Sequence, residues 1–178
     1  MTNSNYKRKH LDLGCGNAPR NPYHAPELFG VDLKIDSGKL DEHFKICNLA
    51  CEPVPFIESY FDSVSAFDVI EHIPRQSVDH QNKTIVNPFI NLMNEIHRVL
   101  KPGGLFYAST PAFPSPEAFQ DPTHVNIITQ GTHEYFCGQN PDARIYGFTG
   151  QFVAVEAQRI YPKYSQTAER TLLDKIKN

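Results

Sequence analysis

The chain has 178 residues, with 17 Lys and Arg against 20 Asp and Glu, for a formal net charge of −3. That length accommodates one domain with a single sizeable core and excludes a separate regulatory module. With 40% hydrophobic and 21% charged residues the composition is that of a folded domain, and a charge balance whose one basic run is Lys7-Arg8-Lys9 excludes a broad nucleic-acid-binding surface.

No apolar run approaches the ~20 residues that cross a bilayer, and the N-terminal stretch is polar, so the expectation is a cytoplasmic chain with no membrane partner. Cys15, Cys47, Cys51 and Cys137 show no CxxC spacing and read as thiols. The whole chain, 1–178, reads as one domain: an N-terminal arm at 1–8, a lid loop at 110–126 and a C-terminal tail or helix at 165–178.

Proline clusters at 19–26, 53–55 and 111–122 mark loops, and the stretches between them alternate between strand and helix. Strands are expected at His10–Leu13, Leu28–Leu33, Phe44–Leu49, Asp62–Ile70 and Gly104–Thr110. Asn87 followed by Pro88 opens a helix whose apolar stripe is Phe89, Leu92, Ile96 and Val99-Leu100, and Lys101-Pro102-Gly103-Gly104 ends it. Phe152–Tyr161 alternates enough for an antiparallel edge strand. The pattern predicts an α/β domain, Rossmann-like, with a mainly parallel sheet, helices on both faces and ligands at the carboxyl ends of the strands.

Leu11-Asp12-Leu13-Gly14-Cys15-Gly16-Asn17 puts two glycines directly after the first strand, where a tight turn lets a ligand approach the backbone. Sixteen residues beyond Gly16, Asp32 closes the second strand with a carboxylate suited to the two hydroxyls of a ribose. A pyrophosphate loop needs a helix at once, and Ala18-Pro19-Arg20-Asn21-Pro22 breaks that pattern, so a nucleoside is favoured over a dinucleotide.

These residues resemble the first motif of the class I S-adenosylmethionine-dependent methyltransferases, of the small methyltransferase-11-like kind. Phe61-Asp62-Ser63-Val64 leading into Ala66-Phe67-Asp68-Val69-Ile70-Glu71-His72-Ile73-Pro74 resembles the family's fourth-strand motif, and Glu95 to Gly104 its helix-to-fifth-strand segment. The likeness covers about residues 9–128. It implies S-adenosyl-L-methionine as cofactor, bound by Gly14, Cys15, Gly16, Asp32, Leu33, Asn48, Leu49 and Phe67. The family usually has Asp where this chain has Asn48, whose amide oxygen can still accept from the adenine amino group. The first strand starts too early for N-terminal helices to cover the cofactor, which leaves the 110–126 loop as the lid.

Methyl transfer requires an acceptor lone pair in line with the sulfonium carbon, and a hydroxyl acceptor also requires a base. Glu71 and His72 follow the fourth strand and His124 lies in the lid, so these three are the candidate catalytic residues. With Asp68 they form an oxygen- and nitrogen-rich set of a kind that Mg²⁺, Mn²⁺ or Zn²⁺ accepts, but Glu-His also follows this strand in sequences without a metal, and no metal is assigned. The reading is an enzyme that transfers a methyl group to an oxygen or nitrogen of a small molecule or glycan, with a homodimer as one way to close the site. The alternative is a catalytically silent cofactor-binding subunit or partner protein.

Overall fold

The structure is a computed structural model that describes residues 7–159. The expected tail at 165–178 and most of the N-terminal arm lie outside the described residues. Five strands form one sheet: β1 (Lys9–Leu13), β2 (Glu27–Asp32), β3 (Phe44–Ile46), β4 (Phe61–Phe67) and β7 (Leu100–Ser109). Their order is β3-β2-β1-β4-β7, and every pairing is parallel. A separate antiparallel hairpin, β5 (Ser77–Asp79) and β6 (Thr84–Val86), was not expected; the Asp79 carboxylate closes its turn by accepting from the amides of Gln81 and Asn82.

The two faces of the sheet differ because strand residues alternate. One face carries Leu11, Leu13, Phe29, Val31, Val64 and Ala66 into the core. Against it packs helix α1 (Pro88–Val99), the one helix longer than five residues among the described residues. Pro88 occupies its first position, and the free amide of Phe89 donates to the Pro74 carbonyl at 3.1 Å. Leu92, Ile96 and Val99 are almost wholly removed from water, a gain of about 1.5–3 kcal/mol for each. Arg98 anchors the far end through Glu95 at 2.6 Å and the carbonyls of Val54 and Phe56.

The other face presents His10, Asp12, Ser63 and Ser65, all buried. Here the expectation of helices on both faces meets a correction. The connection from β1 to β2 crosses without a helix, because Pro19, Pro22 and Pro26 deny it the amide donors a helix needs, and Tyr23 lies 5.8 Å from the His10 ring.

Two further expectations change. The helix ends at Val99 and β7 begins at once; Lys101–Gly104 bulge out between the Phe61–Leu100 and Ser63–Leu105 pairs. The described part of 152–161 joins no sheet: Phe152 makes one parallel bridge to Cys137, its ring packs on Phe148, and Val153 and Val155 are 78% and 86% exposed. Alternation without a second face to bury does not hold a strand. All four cysteines are free thiols, and no described helix is long and apolar enough to cross a membrane.

Candidate functional site

Where β1 ends, the amides of Gly14 and Cys15 both donate to the Val31 carbonyl, at 2.8 and 3.1 Å, and turn the chain sharply. Gly14 and Gly16 have φ of 68° and 51°, a region that other residues enter at a cost. A Cβ on Gly14 would lie 2.2 Å from Val69, whereas one on Gly16 would meet nothing within 4 Å. The loop is therefore pressed against Val69 below and open above Gly16. Asp32 stands beside it, its carboxylate accepting from the Gly16 amide at 2.9 Å and the Lys34 amide at 3.0 Å.

An S-adenosyl group fits these residues: an open glycine cradle with an acceptor carboxylate at its rim is the donor set its ribose and amino-acid portion call for. The Cys15 side chain turns inward beside Gly30, and burial pushes its thiol up to about 12. Leu33 is 67% exposed and free to cover a ligand. β3 is shorter than expected because Asn48 opens a turn: its side-chain oxygen accepts from the Ala50 amide at 3.1 Å and its carbonyl from Cys51 and Glu52. Leu49 is buried in the core, and the Phe67 ring lies tilted against Tyr107 with the Arg20 guanidinium over its face.

Beneath the loop lies a polar network for which the sequence reading assigned no partners. The Ser65 hydroxyl donates to Asp12 at 2.6 Å, so its oxygen accepts from His10 Nε2, 2.9 Å away; His10 Nδ1 is then the acceptor for the Ser63 hydroxyl at 2.8 Å. Burial lowers the His10 pKa to about 4 and raises that of Asp12. The second Asp12 oxygen accepts from the Arg20 amide at 2.7 Å, which ties the network to the far end of the glycine loop. The available signal was polar residues at alternate positions of two strands expected in the sheet interior.

At the end of β4, Asp68 adopts a left-handed φ of 56° and its amide donates to the Ser109 carbonyl. A 3-10 turn at Ile70–His72 follows. The loop after β7 comes back to this turn: the amides of Val125 and Asn126 donate to the Glu71 carbonyl, at 3.0 and 2.9 Å, and the Asn126 side chain donates to the Ile70 carbonyl. Arg75 fastens the same loop through the Asn126 side chain and the Ile127 carbonyl. Asn126 and Arg75 are thus the residues that sequence reasoning missed.

The result joins Glu71, His72 and His124, each contributing a ligand-capable atom within 4.8 Å of the others. The two rings meet edge to face at 4.8 Å. They border a cleft of about 540 Å³ that Asp68 and Asp121 also line. Glu71 is 1% exposed and neither of its carboxylate oxygens has a partner among the described residues. Exposed Phe113, Phe119 and Tyr135 belong to the segments after β7, while Phe136 enters the core.

The methyltransferase-domain family profile matches residues 11–108. No curated protein matches the sequence. Among solved structures, the complex of the Haloferax volcanii Trm112 methyltransferase activator with a methyltransferase aligns at a TM-score of 0.51 and 17% identity, over 72% of this chain and 58% of that one. An S-adenosylmethionine-dependent methyltransferase from Archaeoglobus fulgidus aligns at 0.48 and 18% identity, over 69% and 55%. The chain thus spans less than two thirds of the length of these structures. By a profile that spans more than half of its length, the chain belongs to the class I methyltransferase-domain family, whose cofactor is S-adenosylmethionine.

Proposed function

We propose that this chain binds S-adenosylmethionine over the Gly14–Gly16 loop and transfers its methyl group to an oxygen or nitrogen of a small-molecule or glycan acceptor in the Glu71-His72-His124 cleft. The observation that carries the reading is the convergence of Glu71, His72 and His124, from segments about fifty residues apart, on one cleft, with the glycine loop and Asp32 at the carboxyl ends of neighbouring strands of the same sheet. When bound, the cofactor supplies a sulfonium methyl whose bond to sulfur breaks, leaving the electron pair there, as the acceptor lone pair forms the new bond.

The chain's own residues do the rest. Asp32 holds the ribose hydroxyls, with its carboxylate orientation fixed by the Gly16 and Lys34 amides. Leu33 and Asn48 flank the adenine. The loop from 110 to 126 covers the acceptor, and its docking on Glu71 sets the position of His124. Glu71, His72 and His124 face the acceptor heteroatom and activate it for attack.

The test is calorimetric titration with S-adenosylhomocysteine followed by a radiolabelled methyl screen of hydroxylated and amino acceptors. The reading expects stoichiometric binding and transfer that His124→Ala suppresses. A silent subunit would bind the cofactor product yet transfer to no acceptor.

A further inference from the structure

Glu71 and Asp12 are equally removed from water, at 1% and 2% exposure, but the Asp12 carboxylate has an amide and a hydroxyl donating to it and the Glu71 carboxylate has no donor among the described residues. An ionised carboxylate buried without donors is strongly destabilised, so such a group calls for a proton or a cation. No Lys or Arg is paired with it among the described residues. What faces it is His72 and His124.

The hydrogen bonds around the two rings decide which nitrogen each can offer. The Thr123 hydroxyl donates to Asp121 at 2.6 Å, and a carboxylate only accepts, so the Thr123 oxygen accepts from His72 Nδ1 at 3.0 Å. The Thr123 carbonyl, 3.3 Å from the same nitrogen, accepts as well. His124 Nδ1 lies 3.3 Å from the Ala118 carbonyl, which again can only accept. In the tautomer these bonds select, each ring carries a proton on Nδ1 and leaves Nε2 to accept; the Asp121 carboxylate lies 3.9 Å from the His124 Nε2, beyond hydrogen-bond distance. A ring nitrogen tied to a carbonyl or to a carboxylate-linked hydroxyl is the arrangement that orients metal-binding histidines.

We infer that Glu71, His72 and His124 bind one divalent transition-metal ion. Two imidazoles and one carboxylate form a donor set suited to Zn²⁺, Mn²⁺, Fe²⁺ or Co²⁺, whereas Mg²⁺ and Ca²⁺ favour oxygen. Three protein ligands leave coordination positions open toward the cleft that Asp68 lines, as in sites that act on a substrate. The ion would join the turn after β4 to the loop after β7, so its binding also stabilises that junction. Its catalytic consequence is to draw electron density from an acceptor hydroxyl, with His72 and His124 holding the ion rather than taking the proton. That consequence rests on the methyl-transfer reading; the binding itself does not.

The experiment uses the full chain, stripped with chelator and titrated with Zn²⁺, Mn²⁺ or Co²⁺ alone, with no S-adenosyl compound present. The expected result is one ion per chain by calorimetry and elemental analysis, a visible absorption band on Co²⁺ loading, and a melting temperature raised by about 5 °C at a hundredfold excess over Kd. Glu71→Gln and His124→Ala should each weaken binding at least a hundredfold. Thr123→Val, which leaves all three ligands in place, should weaken it about tenfold or more, and decides the matter if either of the other two fails to fold. Cys51→Ser, which alters the exposed thiol, should bind like the wild type. Absence of uptake by the wild type overturns the proposal; so does uptake that survives Glu71→Gln and Thr123→Val, or that is lost in Cys51→Ser. Failure of S-adenosylhomocysteine to bind, with metal uptake intact, would overturn the methyl-transfer reading alone.

Discussion

At His10, both ring nitrogens have hydroxyl partners, the hydroxyl of Ser65 passes its hydrogen to Asp12, and Asp12 in turn receives the Arg20 amide. At Glu71, two histidines stand close by, each anchored by its own Nδ1, and the carboxylate has no donor among the described residues. Both clusters join histidine to a buried acid at the same sheet, so residue type does not separate them. Hydrogen-bond closure does. A network in which every donor meets an acceptor holds the glycine loop in place and has no capacity left for a ligand. One that leaves a buried carboxylate without a donor is arranged for something that arrives from outside.

The largest effect expected from this contrast is on turnover. His124→Ala should lower kcat by about 10²- to 10⁴-fold on the true acceptor while S-adenosylhomocysteine affinity stays within about threefold. Steady-state kinetics beside calorimetric titration measures both quantities. Full turnover in the variant would make the Glu71 cluster as architectural as the His10 one.

The His10 cluster should respond in stability instead. Its ring is held neutral, with a pKa lowered by burial to about 4 from 6.5, so between those values the unfolded chain takes up a proton that the folded chain refuses. Stability is complete above that window and is lost as the pH falls through it, by up to ~3 kcal/mol. Asp12, whose pKa burial raises, works in the opposite sense just above its ordinary value, so the informative quantity is the difference from His10→Asn. Urea unfolding at several pH values should show a steeper acid-side loss in the wild type than in that variant. Parallel curves would place the His10 proton elsewhere.

On the cofactor side the effects become smaller. Asp32→Ala should weaken S-adenosylhomocysteine by about 1.5–3 kcal/mol, the range for a charge-assisted hydrogen bond, with acceptor KM little changed. Least of all, Asn48→Asp should leave affinity within tenfold or improve it, because the new carboxylate still accepts the Ala50 amide that the present oxygen accepts. A tenfold loss by titration would assign Asn48 another task.

What could be read from the sequence was local. Gly14, Gly16 and Asp32 lie at the ends of two adjacent strands, and the helix from Pro88 carries its stop and its stripe within its own length. The convergence of Glu71 with His124 was legible only as residue types at strand ends, since what joins them is a set of backbone amides at 125 and 126 and the side chains of Asn126 and Arg75. Backbone donors have no sequence signature. The hairpin at 77–86 escaped notice because three-residue strands show too few periods to declare themselves. Phe152 onward misled for a related reason: alternation reports a capacity to form a strand, and whether a second face exists to bury it is decided elsewhere in the chain.

The most direct measurement is a set of three S-adenosylhomocysteine titrations, on the wild type, Asp32→Ala and Glu71→Gln. The account predicts one site per chain in the wild type, binding weakened by roughly ten- to a hundredfold in Asp32→Ala, and binding unchanged in Glu71→Gln, because the carboxylate at 32 serves the cofactor and the one at 71 serves the acceptor side. No binding to the wild type, or an equal loss in both variants, would contradict it.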